Sequence, residues 1–260
     1  MSAHESPGRR LWSTVGLPLA TVTGLLAVIE GAKFAGLLPV FVPSPSEIGS
    51  EIIANPALLS NVVITAYKAA IGYFIAAVVT ISAAAIAVMI RPLYASIYNF
   101  GVGLHAIPII ALAPLLALWL GVGSEVQIII SALACQFPML VGAMQGLQAT
   151  DARQRELMHV LSASRAQTLR FLQIPSALPY LFAGFKIAAP LAVLGAVTAE
   201  WAGADSGIGT MMLYALFAYD TPKVWLAVVI ACLLAASGYG FWALAEHLVI
   251  YWERDVELAD

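Results

Sequence analysis

Apolar blocks long enough to cross a lipid bilayer recur along this chain, separated by short charged or proline-rich stretches. A hydrocarbon core needs roughly 20 apolar residues per helical span. Six blocks meet that length, at residues 12–35, 62–90, 98–120, 126–147, 180–201 and 224–250. Hydrophobic residues make up 61% of the chain and charged residues 10%, with a mean hydropathy of +0.90. That is more apolar surface than a soluble domain can hide. Lipid offers a backbone no hydrogen bonds, so the expected fold is an all-α integral membrane protein whose six helices each satisfy their own N–H and C=O groups.

Orientation follows from the arginines, because cytoplasmic loops carry the positive excess. Arg9 and Arg10 precede the first block, Arg91 follows the second, Arg153, Arg155, Arg165 and Arg170 lie between the fourth and fifth, and Arg254 follows the sixth. With six spans these positions all fall on one side. The other side holds Lys33, Lys68 and Lys223 among Glu47, Glu51, Glu125, Asp205 and Asp220. Residues 1–11, the loop 148–179 and the tail 253–260 are therefore expected in the cytoplasm, around a membrane domain over 12–252. The arginine pair ahead of an apolar run also resembles a secretory signal. No convincing cleavage site follows it, and the whole run is long enough to span, so a retained first helix is expected.

Several function classes find no support. The net charge is −3 and the basic residues are scattered, which offers nothing to nucleic acid. Cys135 and Cys232 fall in separate apolar blocks and are read as packing residues, neither a disulfide nor a metal site. The chain contains no Gly-x-x-x-x-Gly-Lys loop and no His-Glu-x-x-His pair, so it carries no Walker-type nucleotide site, no zinc site of that kind and no recognisable catalytic residue.

Polar residues inside apolar spans are costly and default to functional candidates. His105, about one turn before Pro108, either faces a solute path or satisfies a neighbouring helix. Pro108 and Pro114 interrupt the backbone ladder, which is tolerated where the freed carbonyls face protein or a cavity. Glu200, beside Trp201, is read either as a gate or interhelix bond or as a solvated interfacial carboxylate. Asn61, Thr65 and Lys68 fall along one side of the second span without an assigned role. Glu30 and Glu246, near span ends, are read as structural or snorkelling. Trp119, Trp201, Trp225 and Trp252 near span boundaries are interface anchors. The proline-rich stretch from Leu37 cannot be helical throughout, and Ser46 is expected to cap a short amphipathic helix over 47–54.

The loop 148–179 is more than a turn. Asp151 can cap a helix carrying Glu156, while Arg165 and Arg170 lie toward later turns, an order the helix dipole favours. Leu157, Val160, Leu161, Leu169 and Leu172 recur near helical spacing. A break around residues 162–164 would divide the segment into two short helices, with Pro175 and Pro179 ending it before the fifth span.

Glu156-Leu157-Met158, then Ser162, then Leu172-Gln173-Ile174-Pro175 reproduce the spacing of a known signature: Glu with two small residues, a glycine, and an aliphatic-x-aliphatic-Pro ending. This resembles the EAA motif of the permease subunits of bacterial ATP-binding-cassette importers. Phe41-Val-Pro-Ser-Pro-Ser46, Ile107-Pro108 through Pro114 to Trp119-Leu-Gly-Val-Gly123, Ala183-Gly-Phe-Lys186, Ala199-Glu200 and Gly207-Ile-Gly209 are similar to the branch that takes up nitrate, bicarbonate, taurine, sulfonates and some heterocycles.

The resemblance implies a type I importer permease in the bacterial inner membrane, paired with a second copy of itself and surrounded by membrane lipid. It implies a dimer of ATP-binding-cassette ATPases that uses the ATP and Mg, and a periplasmic binding protein that delivers a small anionic or polar solute. Glu156, Leu157, Met158, Ser162, Ala163, Ser164, Arg165 and Pro175 would form the coupling helix seated on the ATPase. His105, Pro108 and Glu200 would be candidates for the translocation path. Ser162 stands where glycine is usual, and serine takes positive φ less readily, so it is expected to cap the second short helix instead. Two other classes compete: an ion-gradient-driven secondary transporter, and an intramembrane enzyme built on His105 and Glu200.

Overall fold

The computed structural model describes residues 16–251, which are helical or loop with no strand among them. Residues 12–15 of the first expected span, Arg9, Arg10, Trp252, Arg254 and the tail 253–260 lie outside the described residues. Five helices are long and apolar enough to cross a membrane, or six when a bent pair is taken as one span. Contacts divide the chain into two units, one of residues 1–56 with 214–226 and one of 57–213 with 227–260.

In the first unit, helix α1 (Leu17–Phe34) buries none of its residues within the structure. Helix α2 (Pro45–Ala54) begins two residues earlier than expected because Ser44, and not Ser46, is its N-cap. Pro45 supplies a pre-set φ at the first helical position, which leaves Ser44 to receive the Glu47 N–H (3.2 Å) while its own N–H donates to the Glu47 carboxylate (2.7 Å). Ser46 is drawn elsewhere: its hydroxyl and N–H both donate to Glu30, at 2.6 and 3.0 Å. Glu30 is thus structural, and the Lys33 ammonium likewise donates to the Val42 carbonyl at 2.7 Å.

The second unit contains α3 (Leu58–Met89), α4 (Leu93–Ala106), α5 (Ile109–Leu120), α6 (Ser124–Gly146), α7 (Ala152–Val160), α8 (Arg165–Thr168), a π-helical turn (Leu169–Gln173) and α9 (Ile174–Trp201). It also holds the start of α10 (Ile208–Phe217) and most of α11 (Thr221–Val249). Helix α6 packs along both α3 and α9. Small residues allow this: a Cβ at Gly142 would lie 2.6 Å from the Tyr180 carbonyl oxygen, so only glycine lets α6 and α9 approach backbone to backbone. The buried Ser131 hydroxyl donates to the Ala192 carbonyl at 2.9 Å, tying the same helices by a polar bond. Helix α11 joins α9 through Lys186 and Glu246, 2.5 Å apart, and through Trp242, whose ring stands 4.8 Å from that of Phe185.

Two expected spans change form. The third, 98–120, is not one straight helix but α4 and α5, bent by 90°. Pro108 excludes the helical region for Ile107, which is extended (φ −71°, ψ 124°), and Pro108 itself is extended at ψ 111°. The fifth is longer than expected. Pro175 and Pro179 do not stop the chain: Pro175 occupies the first turn of α9, where a missing N–H costs nothing, and Pro179 lies inside the helix. The π turn joins α8 to α9 continuously from Ala166 to Trp201.

Candidate functional site

Within loop 148–179 the chain makes α7, a tight turn and α8. The Asp151 N–H donates to the Gln154 side chain at 3.2 Å, and the Arg155 Nε donates to the buried Thr150 hydroxyl at 2.7 Å, so the first turn of α7 is held at its base. The break falls where the sequence places it. Ser162 takes φ +51°, a left-handed conformation, with its N–H donating to the His159 carbonyl (2.9 Å) and the Ala163 N–H to the Met158 carbonyl (3.0 Å). This is a helix-ending turn that glycine fills more easily.

The expected capping role of Ser162 therefore passes to Ser164. A residue used to reverse the chain cannot also stand in the extended conformation of a cap. The Ser164 hydroxyl receives the Gln167 N–H at 3.3 Å, and the Ser164 N–H donates to the Gln167 side chain at 2.8 Å. Glu156 is exposed, Met158 and Ala163 are half-buried, and Pro175 is half-buried in α9. Leu157, Val160 and Leu161 are 58%, 74% and 65% exposed, forming an apolar tip on a segment too polar to enter lipid.

The three path candidates do not come together in one site. His105, at the end of α4, is exposed and stacks on the Phe137 ring of α6 at 4.9 Å. Pro108 marks the α4–α5 bend. Glu200 is only 1% exposed and lies at the centre of a polar cluster that the sequence places at scattered positions. Its carboxylate receives the Thr65 hydroxyl at 2.8 Å and the Gly209 N–H at 2.8 Å, and the Lys68 ammonium lies 3.5 Å away. The Lys68 ammonium donates to the Ser206 carbonyl at 3.2 Å.

This cluster answers the question of where the first N–H groups of α10 go. The Gly207 N–H donates to the Asn61 amide oxygen (3.0 Å), the Ile208 N–H to the Thr65 hydroxyl (2.8 Å) and the Gly209 N–H to Glu200. A carboxylate at the positive end of a helix is electrostatically favoured, and Lys68 offsets the cost of removing it from water. Gly207 has φ +132°, and a Cβ there would collide with the Glu200 carboxylate, so only glycine admits this approach. Asn61, Thr65 and Lys68 are the face of α3 that the sequence groups together without assigning a partner. The side chains of α3 and α9 thus clasp the start of α10. Glu200 is closed from solvent in this conformation.

Residues 76–249 match the family described as the binding-protein-dependent transport system inner membrane component. The riboflavin transport system permease protein RibX of Chloroflexus aurantiacus is 27% identical, over 93% of this chain and 91% of its own length. The taurine transport system permease protein TauC of Escherichia coli is 28% identical, over 94% and 92%. The formylaminopyrimidine transport permease protein ThiX of Halalkalibacterium halodurans is 33% identical over 61% of this chain, which spans 64% of that relative.

Proposed function

The chain belongs to the family of binding-protein-dependent transport inner-membrane components, the permease subunits of ATP-binding-cassette importers, and from this premise we propose that it forms an alternating-access path for a small anionic or polar solute. It is a transport subunit of a membrane and not an enzyme. In the proposed assembly two copies pair in the inner membrane, with both termini and the α7–α8 segment in the cytoplasm. A periplasmic binding protein presents the solute, and a pair of ATPase subunits consumes ATP with Mg. RibX, TauC and ThiX are named for a flavin, a sulfonate and a pyrimidine, all small and polar, which supports the solute class proposed.

The observation that carries this reading is the apolar tip of Leu157, Val160 and Leu161 beside Glu156, held out by the turn at Ser162. Such side chains outside lipid are stabilised by burial against another protein. Seated in an ATPase groove, α7 and α8 would pass nucleotide-driven motion to α9, because the π turn makes α8 and α9 one continuous helix. Glu156→Ala is expected to lower solute-stimulated ATP hydrolysis and uptake together by roughly fivefold or more, the range of ordinary coupling free energies. Normal transport by a normally inserted variant would refute the assignment.

A further inference from the structure

We infer that the cavity at the joined ends of α3, α6 and α7 binds the phosphate of an acidic phospholipid headgroup. The cavity measures about 540 Å³, within the usual size of small-molecule sites. Arg91, which follows α3, and Arg155, in the first turn of α7, both line it, with Tyr94, Gln148 and Gln173 as further polar groups. No carboxylate lines it, and neither arginine forms an ion pair among the described residues.

Two guanidinium groups facing one space repel each other unless an anion lies between them, and their planar donor forks match phosphate oxygens. Arg155 is already oriented, since its Nε donates to the buried Thr150 hydroxyl. Its terminal nitrogens remain for a ligand.

The other walls decide the source of the phosphate. Ala87 and Val88 of α3 and Leu147 after α6 line the same cavity, and they continue into helices long and apolar enough to span a membrane. A site with arginines at its rim and apolar helix along its side fits an amphiphile, with the phosphate on the guanidiniums and the acyl chain along α3. Basic pockets at the ends of membrane helices recognise acidic headgroups in this way. On the function proposed above, Arg155 directly precedes Glu156, so a bound lipid would also steady the base of the coupling helix. The lipid site itself does not depend on that reading.

The test uses the full chain purified in neutral detergent and titrated separately with short-chain phosphatidylglycerol, phosphatidylcholine of equal chain length, and inorganic phosphate. Native mass spectrometry and the thermal midpoint read occupancy. Phosphatidylglycerol is expected to bind, phosphatidylcholine to bind weakly, and inorganic phosphate to bind at least about tenfold more weakly than phosphatidylglycerol because it lacks the chain contact. R91Q and R155Q should each weaken phosphatidylglycerol roughly fivefold and together about 25-fold, while R91K, which keeps the charge but loses the planar fork, falls between the parent and R91Q. If the double variant does not fold, R91Q alone carries the comparison.

Equal affinity for the two lipids, or undiminished phosphatidylglycerol binding in R91Q, would overturn the proposal. So would phosphate binding as tightly as phosphatidylglycerol, which would make this a free-anion site. Variants that keep the lipid but lose assembly with an ATPase would make the cavity a subunit contact and overturn it equally. Failure of transport coupling in Glu156→Ala is a separate outcome and leaves the lipid titration unchanged.

Discussion

Replacing one member of the buried Lys68–Glu200 pair should destabilise the second unit far more than replacing both. At 3.5 Å, two unit charges in an effective dielectric of about 20 attract by about 5 kcal/mol, and desolvation takes back a large part of that. Glu200→Gln keeps the shape and an acceptor for Thr65 or Gly209, yet leaves the Lys68 ammonium buried with only the Ser206 carbonyl. Lys68→Met leaves the carboxylate with two neutral donors. Each single change is expected to cost about 3–5 kcal/mol, the usual penalty for an orphaned buried charge. For a unit of this size that is a fall of about 6–20 °C in thermal midpoint. The double variant, with both charges gone, should recover at least about 2 kcal/mol of the summed loss. Thermal unfolding of the four proteins in one detergent closes the cycle. Single variants as stable as the parent, or a double variant whose loss equals the sum, would refute the idea that the two side chains act as a pair.

Glycine positions give a contrasting pair. Gly207→Ala should cost about 2–3 kcal/mol, since the new Cβ strikes the Glu200 carboxylate at a positive-φ position, whereas Gly49→Ala, in open space on α2, should gain up to about 1 kcal/mol; unfolding midpoints compare them. Ser162→Gly should relieve about 1 kcal/mol of left-handed strain, seen as slower hydrogen exchange at the amides of the turn, with uptake retained. The Lys223 ammonium, 2.8 Å from Asp220, donates to its carboxylate and holds it below the usual carboxylate range. Because the folded value is depressed, the stabilisation is fully present above the unfolded value near 4 and is lost as pH falls through the folded one. An acid titration of stability should therefore flatten in Asp220→Asn.

The long apolar helices are legible because their signal is additive: each announces itself through many apolar residues, and the helices Leu58–Met89, Ser124–Gly146 and Thr221–Val249 overlie the apolar blocks at 62–90, 126–147 and 224–250. Competition between neighbouring candidates is less readable. Ser44 displaces Ser46 as a cap only because Pro45 takes the first helical position, and Ser164 displaces Ser162 because Ser162 is spent on reversing the chain. Prolines are ambiguous from sequence alone: Pro108 breaks a span by 90°, whereas Pro175 falls in the first turn of α9 and Pro179 is accommodated inside that helix. The Glu200 cluster was half visible. Asn61, Thr65 and Lys68 share a helix face at spacings any reader can count, but their partners lie more than 130 residues away, and no local rule connects them. Arg91 and Arg155 look like orientation signals in the sequence; only the fold brings them to one cavity.

The account depends most on the side of the membrane that receives the α7–α8 turn. A single cysteine at the exposed Leu161, with Cys135 and Cys232 replaced, can be probed with a membrane-impermeant maleimide in right-side-out and inverted vesicles, with and without the ATPase subunits. The account predicts labelling only in inverted vesicles, protection when the ATPase is bound, and a crosslink from this position to the ATPase. Labelling from the outside of right-side-out vesicles would contradict it.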